Sequence, residues 1–428
     1  MERTYIKDIT PGVRKISGFV ENFRNKKNMA FIVVKDITGK LQVTIIKEEH
    51  PEFNELLDQL TIHSVVTFEG EVVASEYVKL GGKEMYPTSM KIESVADALP
   101  IKDDSDIDVK MDFRWIDLRR DKNQLMLKMQ TTLTNAMREF LVNKDFTEIH
   151  TPKLIGAASE SGSDVFEVKY FDTKAYLAQS PQFYKQMAMA AGLDRIFETG
   201  PVFRAEKSYT NKHATEFTGF DLEFSYVESF EDVMKMEEEL LAYALKAVHD
   251  KHGEAIKELY GLEVIVPTLP FPRMKLADVY AELEERYGFK VPDEVKGDLT
   301  TEAERMTKQL AMDKFGHEFL FITDYDAKER AFYHMRDENG VPQGYDLIWR
   351  GVEITTGAQR EHRYEILKAQ AEEKGLANDV KFYLEFFKYG CPPHGGFGIG
   401  IDRLTMLFLG LSIKEAEFLF RGPNRLTP

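Results

Sequence analysis

The sequence predicts an α+β protein built from a small all-β N-terminal part and a larger mixed part. Three observations carry that prediction. Up to about residue 100 the chain reads as short strands separated by turn signals, residues 97–124 are rich in charge, and from 177 onward strands and helices mix. The mixing lacks the regular strand–helix–strand alternation of a doubly wound sheet, which favours antiparallel pairing. With 428 residues, 43% of them hydrophobic, the chain is long enough for two or more separate cores.

Taken in order, residues 13–20, 30–35, 41–46 and 65–74 are strand-like, with Thr38-Gly39 as a turn between the second and third. The simplest closure is a five-stranded barrel of the OB type over residues 1–100. Residues 101–124, with Lys102-Asp103-Asp104, Asp106 and Asp108, read as a hinge or linker before a second domain over 125–428. Met129, Leu133, Met137, Phe140 and Leu141 recur at helical spacing and predict a long helix ending near residues 143–145. Residues 146–149 then read as a strand that Pro152 terminates, because proline donates nothing to a ladder. A helix is expected over 230–248, and an insertion within about 265–340.

Residues 201–203 and 217–226 read as two strands of a hairpin whose loop holds Arg204 and Glu206. In the second strand Asp221, Glu223 and Ser225 alternate with Leu222, Phe224 and Tyr226, so one face packs and the other is left for chemistry. Arg204, Glu206 and Phe217 suit the phosphate, hydroxyl and base of a nucleotide. The plainer reading is an Arg204–Glu206 surface pair, and the hairpin alone does not separate the two. The run from Gly395 to Arg403 is not a dinucleotide fingerprint, since its third glycine is misplaced and it lies near the end of the chain. Alternating glycines in a strand let a flat group approach the backbone, and Arg403, opening the next helix, reaches for a phosphate.

Composition sets the bounds. A net charge of −16 argues against indiscriminate nucleic-acid binding, yet local clusters such as Arg24, Lys26 and Lys27, or Arg119 and Arg120, leave room for a specific RNA. The single cysteine, Cys391, excludes an internal disulfide and a zinc site built on paired cysteines. No apolar run approaches the roughly 20 residues of a membrane span and the first residues lack a secretory signal, so a cytoplasmic location is expected.

The barrel, the Phe203-Arg204-Ala205-Glu206 loop and the closing Gly398-Ile399-Gly400-Ile401-Asp402-Arg403 run, in that order, resemble the class II aminoacyl-tRNA synthetases. Residues 146–152 with the preceding helix look like motif 1, 203–217 like motif 2 and 396–403 like motif 3. Gln179-Ser180-Pro181-Gln182-Phe183-Tyr184-Lys185, the run from Gly351 to Arg360, and the terminal Arg425-Leu426-Thr427-Pro428 bring the resemblance to the aspartyl-tRNA synthetases of the compact archaeal and eukaryotic type. Asparaginyl enzymes share the three motifs but lack the Gln-Ser-Pro-Gln-x-x-Lys run. They stand as an alternative, as do a catalytically retired RNA-binding paralogue and a free-standing asparagine synthetase.

The resemblance implies a ligase that activates L-aspartate with ATP and transfers it to the 3′ end of tRNA-Asp. It assigns Arg204 to the α-phosphate, His213 and Arg403 to the far phosphates, and Phe217 to adenine, with Arg403 near the other face; Arg204 and Arg403 are its catalytic cations. Glu206 and Glu353 complete the ATP set, while Asp346, Glu353 and Thr356 match the oxygen ligands of Mg2+, Thr356 standing where serine is usual. Lys185 and Arg360 resemble the two cations on the aspartate side chain, with Gln182 and Asp221 around its α-amino end. Glu160 belongs to the loop 159–163 that closes over the amino acid, and here Ser161 replaces the usual glycine. For tRNA, Phe31 and Gln42 match positions that stack on and hydrogen-bond the anticodon, and Glu206, Ser208 and Thr210 match residues at the acceptor end. Glu21 lies near the expected place of the third anticodon base, which leaves tRNA-Asn open as a second acceptor. Family members are homodimers across motif 1, so a homodimer is expected.

Overall fold

The computed structural model describes residues 1–157, 165–207 and 213–428. Contacts divide the chain into two compact units, Met1–Ile116 and Asp117–Pro428.

In the first unit, strands β1 (Gly12–Asn25), β2 (Met29–Lys35), β3 (Lys40–Ile46), β4 (Val65–Ala74) and β5 (Lys83–Ser94) close a barrel in the order β1-β2-β3-β5-β4. Strict alternation builds it. Ala30, Ile32 and Val34 of β2 point inward and are fully buried against Ile16, Val43 and Phe68, while Phe31 and Val33 lie on the outer face. The stretch read as a linker carries short helices at Ile107–Asp112 and Arg114–Asp117, the first capped by the Asp106 side chain accepting from the Asp108 amide at 2.9 Å.

The second unit is organised on an eight-stranded sheet. Its strands are β6 (Thr147–Glu148), β10 (Arg195–Phe203), β11 (Glu216–Ser225), β12 (Arg273–Lys275), β13 (Phe319–Thr323), β14 (Gly344–Trp349), β15 (Val352–Arg360) and β16 (His394–Gly400), in the order β12-β13-β14-β15-β16-β11-β10-β6. Only the two ends, β12/β13 and β10/β6, are parallel pairs; the centre is antiparallel. A separate three-stranded sheet joins β7 (Leu154–Ile155), β9 (Thr173–Leu177) and β8 (Glu167–Tyr170).

One face of the large sheet is covered by two long helices. The Asp121–Val142 helix offers Met129, Leu133, Met137 and Leu141, and the Phe230–Tyr260 helix offers Leu241, Ala244, Leu245 and Val248, all buried with Phe220, Leu222, Phe397 and Ile399 of the sheet. Each such large side chain withdrawn from water contributes about 1.5–3 kcal/mol. The second helix begins at a Ser229–Asp232 capping box and stops at Gly261, whose φ of 70° suits the left-handed turn. It runs a full 31 residues, well past the expected end at 248. Within 265–340, the Leu276–Tyr287 and Thr301–Phe315 helices enclose a core of their own around Leu283 and Leu310, while β12 and β13 extend the main sheet.

The expected packed face of β11 needs one correction. Leu222 and Phe224 are buried, but Tyr226 is 70% exposed. The strand ends at Ser225, and Tyr226 takes a φ of 61°, which turns its side chain away from the layer.

Candidate active site

The face of the sheet opposite the two long helices lines a cavity of about 370 Å³. Alternation decides what lines it. Even-numbered residues of β11 pack toward the helices, so Phe217, Gly219, Asp221 and Glu223 face the other way, and Gly396, Gly398 and Gly400 do the same on neighbouring β16.

At one end the hairpin loop brings three predicted residues together. Glu206 lies 3.9 Å from both Arg204 and His213, too long for a tight pair, and the Arg204 guanidinium sits 5.5 Å from the centre of the Phe217 ring. The Arg204–Glu206 pair thus forms only loosely, Glu206 is shared with His213, and these three side chains line the cavity with Phe217. Arg403 donates to the backbone carbonyl of Glu353 at 3.0 Å and also lines it. A side chain at 400 would meet Phe217 at 3.9 Å and Arg403 at 3.6 Å, so Gly400 keeps the space between ring and cation clear. The glycines at 396 and 398 serve a different purpose from the flat approach expected of them. A Cβ there would strike Glu223 at 2.4 Å and Asp221 at 2.5 Å, so they make room for carboxylates.

At the other end Lys185 and Arg360 meet in the same cavity, each about 2% exposed. Lys185 comes from the Gln182–Ala190 helix and Arg360 from the end of β15. Lys185 Nζ donates to Asp221 at 3.1 Å and to the Phe397 carbonyl at 3.2 Å, and lies 3.5 Å from Glu223. Arg360 donates through Nε to Glu223 at 3.1 Å and through Nη2 to the Gly396 carbonyl at 2.8 Å and Gln182 at 3.4 Å. Its Nη1 donors engage no protein acceptor among the described residues. Burial raises the Asp221 carboxyl and the Lys185 charge works against that rise. Burial disfavours the charge on Arg360, but the Glu223 carboxylate together with Tyr333 and Tyr383 outweighs it and leaves the guanidinium raised.

Glu223 is the residue that sequence reasoning left without a role. Fully buried, it is the shared counter-ion of both cations. Its signal was its place two residues after Asp221 on the same strand face.

Asp346, Glu353 and Thr356 come together on β14 and β15. The Thr356 hydroxyl lies 2.9 Å from Asp346 and 3.0 Å from Glu353, bridging the two carboxylates. Glu353 and Thr356 line the cavity, and Asp346 is the cross-strand neighbour of Thr356 on β14. Burial and the Asp346 charge push Glu353 up to about 6. The arginines nearest in sequence do not neutralise these carboxylates: Arg350 pairs with Glu318 and Arg360 with Glu223. Instead Arg330, which nothing in the sequence pattern marks, takes both oxygens of Asp346 at 2.8 and 2.6 Å while lying 3.6 Å over the Tyr325 ring. All the donors here are hard oxygens, which fits a divalent cation shared with phosphates. No group of three or more His, Cys, Asp or Glu side chains able to cage a metal occurs among the described residues.

Glu160, Ser208 and Thr210 lie outside the described residues. In the barrel, Phe31 is not a core residue; its half-buried ring faces outward with Lys26 Nζ 5.8 Å from its centre. Gln42 donates to Thr44 at 3.1 Å and to Glu84 at 3.4 Å, and Thr44 donates to the same carboxylate at 2.6 Å. Burial opposes the charge of Glu84, but hydrogen bonds from Thr44, Ser75, Gln42 and Tyr86 outweigh it and hold the carboxyl low. Glu21 is paired with Lys40 at 2.8 Å. Among the described residues no helix is long and apolar enough to cross a membrane.

Comparison with known proteins bears on the same regions. Residues 15–93 match the OB-fold nucleic acid binding domain family. The chain is 41% identical to the aspartate–tRNA(Asp/Asn) ligase of Methanopyrus kandleri, covering all of both chains. It is 38% identical to the aspartate–tRNA(Asp) ligase of Pyrococcus furiosus, covering 97% of this chain and 96% of that one. Among solved structures, the asparaginyl-tRNA synthetase of Pyrococcus horikoshii complexed with asparaginyl-adenylate superposes with a TM-score of 0.92 at 30% identity, covering all of both chains. Residues 106–420 match the family of class II tRNA synthetases (D, K and N), and with three quarters of its length so matched the chain belongs to that family.

Proposed function

We propose that this chain is an aspartate–tRNA ligase. The observation that carries the reading is the joint burial of Lys185 and Arg360 in the cavity that also holds Phe217, Arg204 and Arg403. In the first step a carboxylate oxygen of aspartate attacks the α-phosphorus of ATP, and the bond to pyrophosphate breaks with its electron pair leaving on pyrophosphate. In the second, the 3′-hydroxyl of the terminal adenosine of tRNA attacks the mixed anhydride and AMP leaves, the hydroxyl proton passing to solvent. Neither step needs a protein nucleophile. The chain's contribution is placement and fixed charge, where effective molarity and electrostatic stabilisation supply the rate.

In this reading Phe217 stacks on adenine, Arg204 draws the α-phosphate into line, and His213 and Arg403 meet the far phosphates. Glu206 orients the loop cations and the nucleotide hydroxyls. Asp221 and Gln182 accept from the α-ammonium of the amino acid, and Glu160 lies in the loop that closes over it. The free Nη1 edge of Arg360 takes the side-chain carboxylate, with Lys185 adding its charge. Asparagine would turn an NH₂ toward these buried cations, and a polar mismatch of that kind supports discrimination of about 10⁴-fold or more.

Asp346, Glu353 and Thr356 are the residues that would hold Mg2+, and the chemistry it would supply there is neutralisation of phosphate charge. The crowding of two carboxylates around one hydroxyl supports that placement; Asp346, gripped through both oxygens by Arg330, would have to exchange that guanidinium for the cation.

The barrel's outward Phe31, with Gln42 held by Glu84, suits an unstacked anticodon base, and Glu206, Ser208 and Thr210 suit the acceptor end. Because Lys40 neutralises Glu21, the third anticodon base meets less repulsion than the bare carboxylate would exert, which favours tRNA-Asn as a second acceptor. The working form we infer is a cytoplasmic homodimer across motif 1. Charging tRNA-Asp and tRNA-Asn side by side with labelled aspartate, then with labelled asparagine, tests the proposal. Aspartyl-tRNA-Asp is expected; charging with asparagine alone would overturn it.

A further inference from the structure

The buried cation pair rests on a second layer of hydrogen bonds that the two-step reaction leaves unused. Behind Gln182, the side chains of Gln186, Tyr383 and His394 are fully buried and joined in one chain. His394 Nδ1 is 2.8 Å from the Pro392 carbonyl, and Gln186 Nε2 is 3.0 Å from His394 Nε2. Gln186 Oε1 is 2.8 Å from Gln182 Nε2 and 2.9 Å from the Tyr383 hydroxyl. Gln182 Oε1 is 3.4 Å from Arg360 Nη2.

We propose that His394 is a positioning residue of the amino-acid pocket, its ring tautomer fixing, through Gln186, which end of the Gln182 amide faces Arg360. Donor accounting gives one solution. A carbonyl only accepts, so Nδ1 carries the proton toward Pro392, and burial keeps the ring neutral, with a pKa held down to about 4. Nε2 is then an acceptor, so Gln186 must turn its NH₂ toward it. That leaves Gln186 Oε1 facing Gln182, which must answer with its own NH₂. The Gln182 carbonyl is thereby driven toward Arg360, where it accepts from the cation and faces the cavity as an acceptor. Reversing any one amide would place donor against donor at a neighbouring junction of a buried chain, and such groups are costly to leave unmatched. His394 touches neither substrate in this scheme. It acts through Gln186.

The inference rests on the aspartate reading of the cavity, and the experiment separates the two. Pyrophosphate exchange is measured on the full-length protein and on His394→Leu and His394→Gln, with KM for aspartate and for ATP determined separately. Removing the acceptor at 394 is expected to raise KM for aspartate about tenfold or more, the worth of one hydrogen bond to a charged group, while KM for ATP moves less than about twofold. Glutamine, whose amide oxygen again accepts from Gln186, is expected to bring KM for aspartate back to within about threefold of the parent. If His394→Leu keeps the parent's KM for aspartate, or raises both KM values equally, the positioning role is overturned. If the parent itself shows no aspartate-dependent exchange, the reading of the cavity falls first. A measurement on the unmutated protein is independent of folding defects. Ring-¹⁵N spectra at neutral pH are expected to show His394 as the neutral Nδ1–H tautomer, and an Nε2–H or doubly protonated ring would overturn the inference.

Discussion

Replacing Arg360 with leucine tests two claims at once, because the residue is both the proposed grip on the substrate carboxylate and half of a buried ion pair. The substitution removes the 3.1 Å bond to Glu223 and the 2.8 Å bond to the Gly396 carbonyl. Glu223 is left fully buried with only Lys185, at 3.5 Å, to balance it. Breaking a buried pair by deleting one partner costs about 3–5 kcal/mol, mostly the penalty of the stranded charge. Arg360→Leu is therefore expected to lose about 3–5 kcal/mol of unfolding free energy. The double variant Arg360→Leu/Glu223→Gln, which removes the stranded charge, then recovers about half of it or more. Urea unfolding monitored by circular dichroism reads the stability, and aspartate-dependent pyrophosphate exchange reads the function. Exchange is expected to be abolished in both variants, since neither has the guanidinium. A double variant no more stable than the single one would refute Glu223 as counter-ion, and near-normal exchange in either would refute the role of Arg360.

Three further outcomes follow from the same geometry. Phe217→Ala is expected to raise KM for ATP by about fivefold or more, from the roughly 1–3 kcal/mol of base stacking, with KM for aspartate changing less; equal changes in both would argue against stacking. Phe31→Ala is expected to lower kcat/KM for tRNA charging by about 5- to 150-fold on the same stacking energy while leaving tRNA-free exchange intact, and a parallel loss of both would contradict the division of labour between the units. Burial, aided by the Asp402 charge, pushes Glu417 up to about 9 from 4.5, so the folded protein keeps a proton that the unfolded chain gives up. Stability therefore falls as pH rises from about 5 to 9, by at most about 1.4 kcal/mol per pH unit for that proton. Glu417→Gln, which cannot ionise, should flatten this slope in denaturation at pH 5, 7 and 9, and a slope equal to the parent's would rule out Glu417 as its source.

Much of the site was legible because it is written in strands, whose period of two assigns faces without knowledge of the rest of the fold. Asp221 could be read against Leu222, and Arg403 against the glycine run, from local pattern alone. What local pattern missed was missed for physical reasons that differ from element to element. The fifth barrel strand carries Pro87 and slips register against β4 at Glu93 and at Thr88, opposite Val65/Val66 and Glu69/Gly70, so its residues do not alternate cleanly. Glu223 was placed on the right face, but its role depends on the Gln182–Ala190 helix and the end of β15 converging on it, a long-range fact that no spacing encodes. Arg330 sits outside any helix or strand, where no periodicity exists, and its grip on Asp346 appears only when β14 is laid beside its loop. Tyr226 failed for the opposite reason: alternation was extended one residue past the end of the strand.

The central claim is that two buried cations choose the amino acid, and its most direct measurement is pyrophosphate exchange by the unmutated protein with aspartate and with asparagine as sole amino acid. A kcat/KM ratio of about 10⁴ or more in favour of aspartate is expected. Comparable rates with the two, or a preference for asparagine, would contradict it.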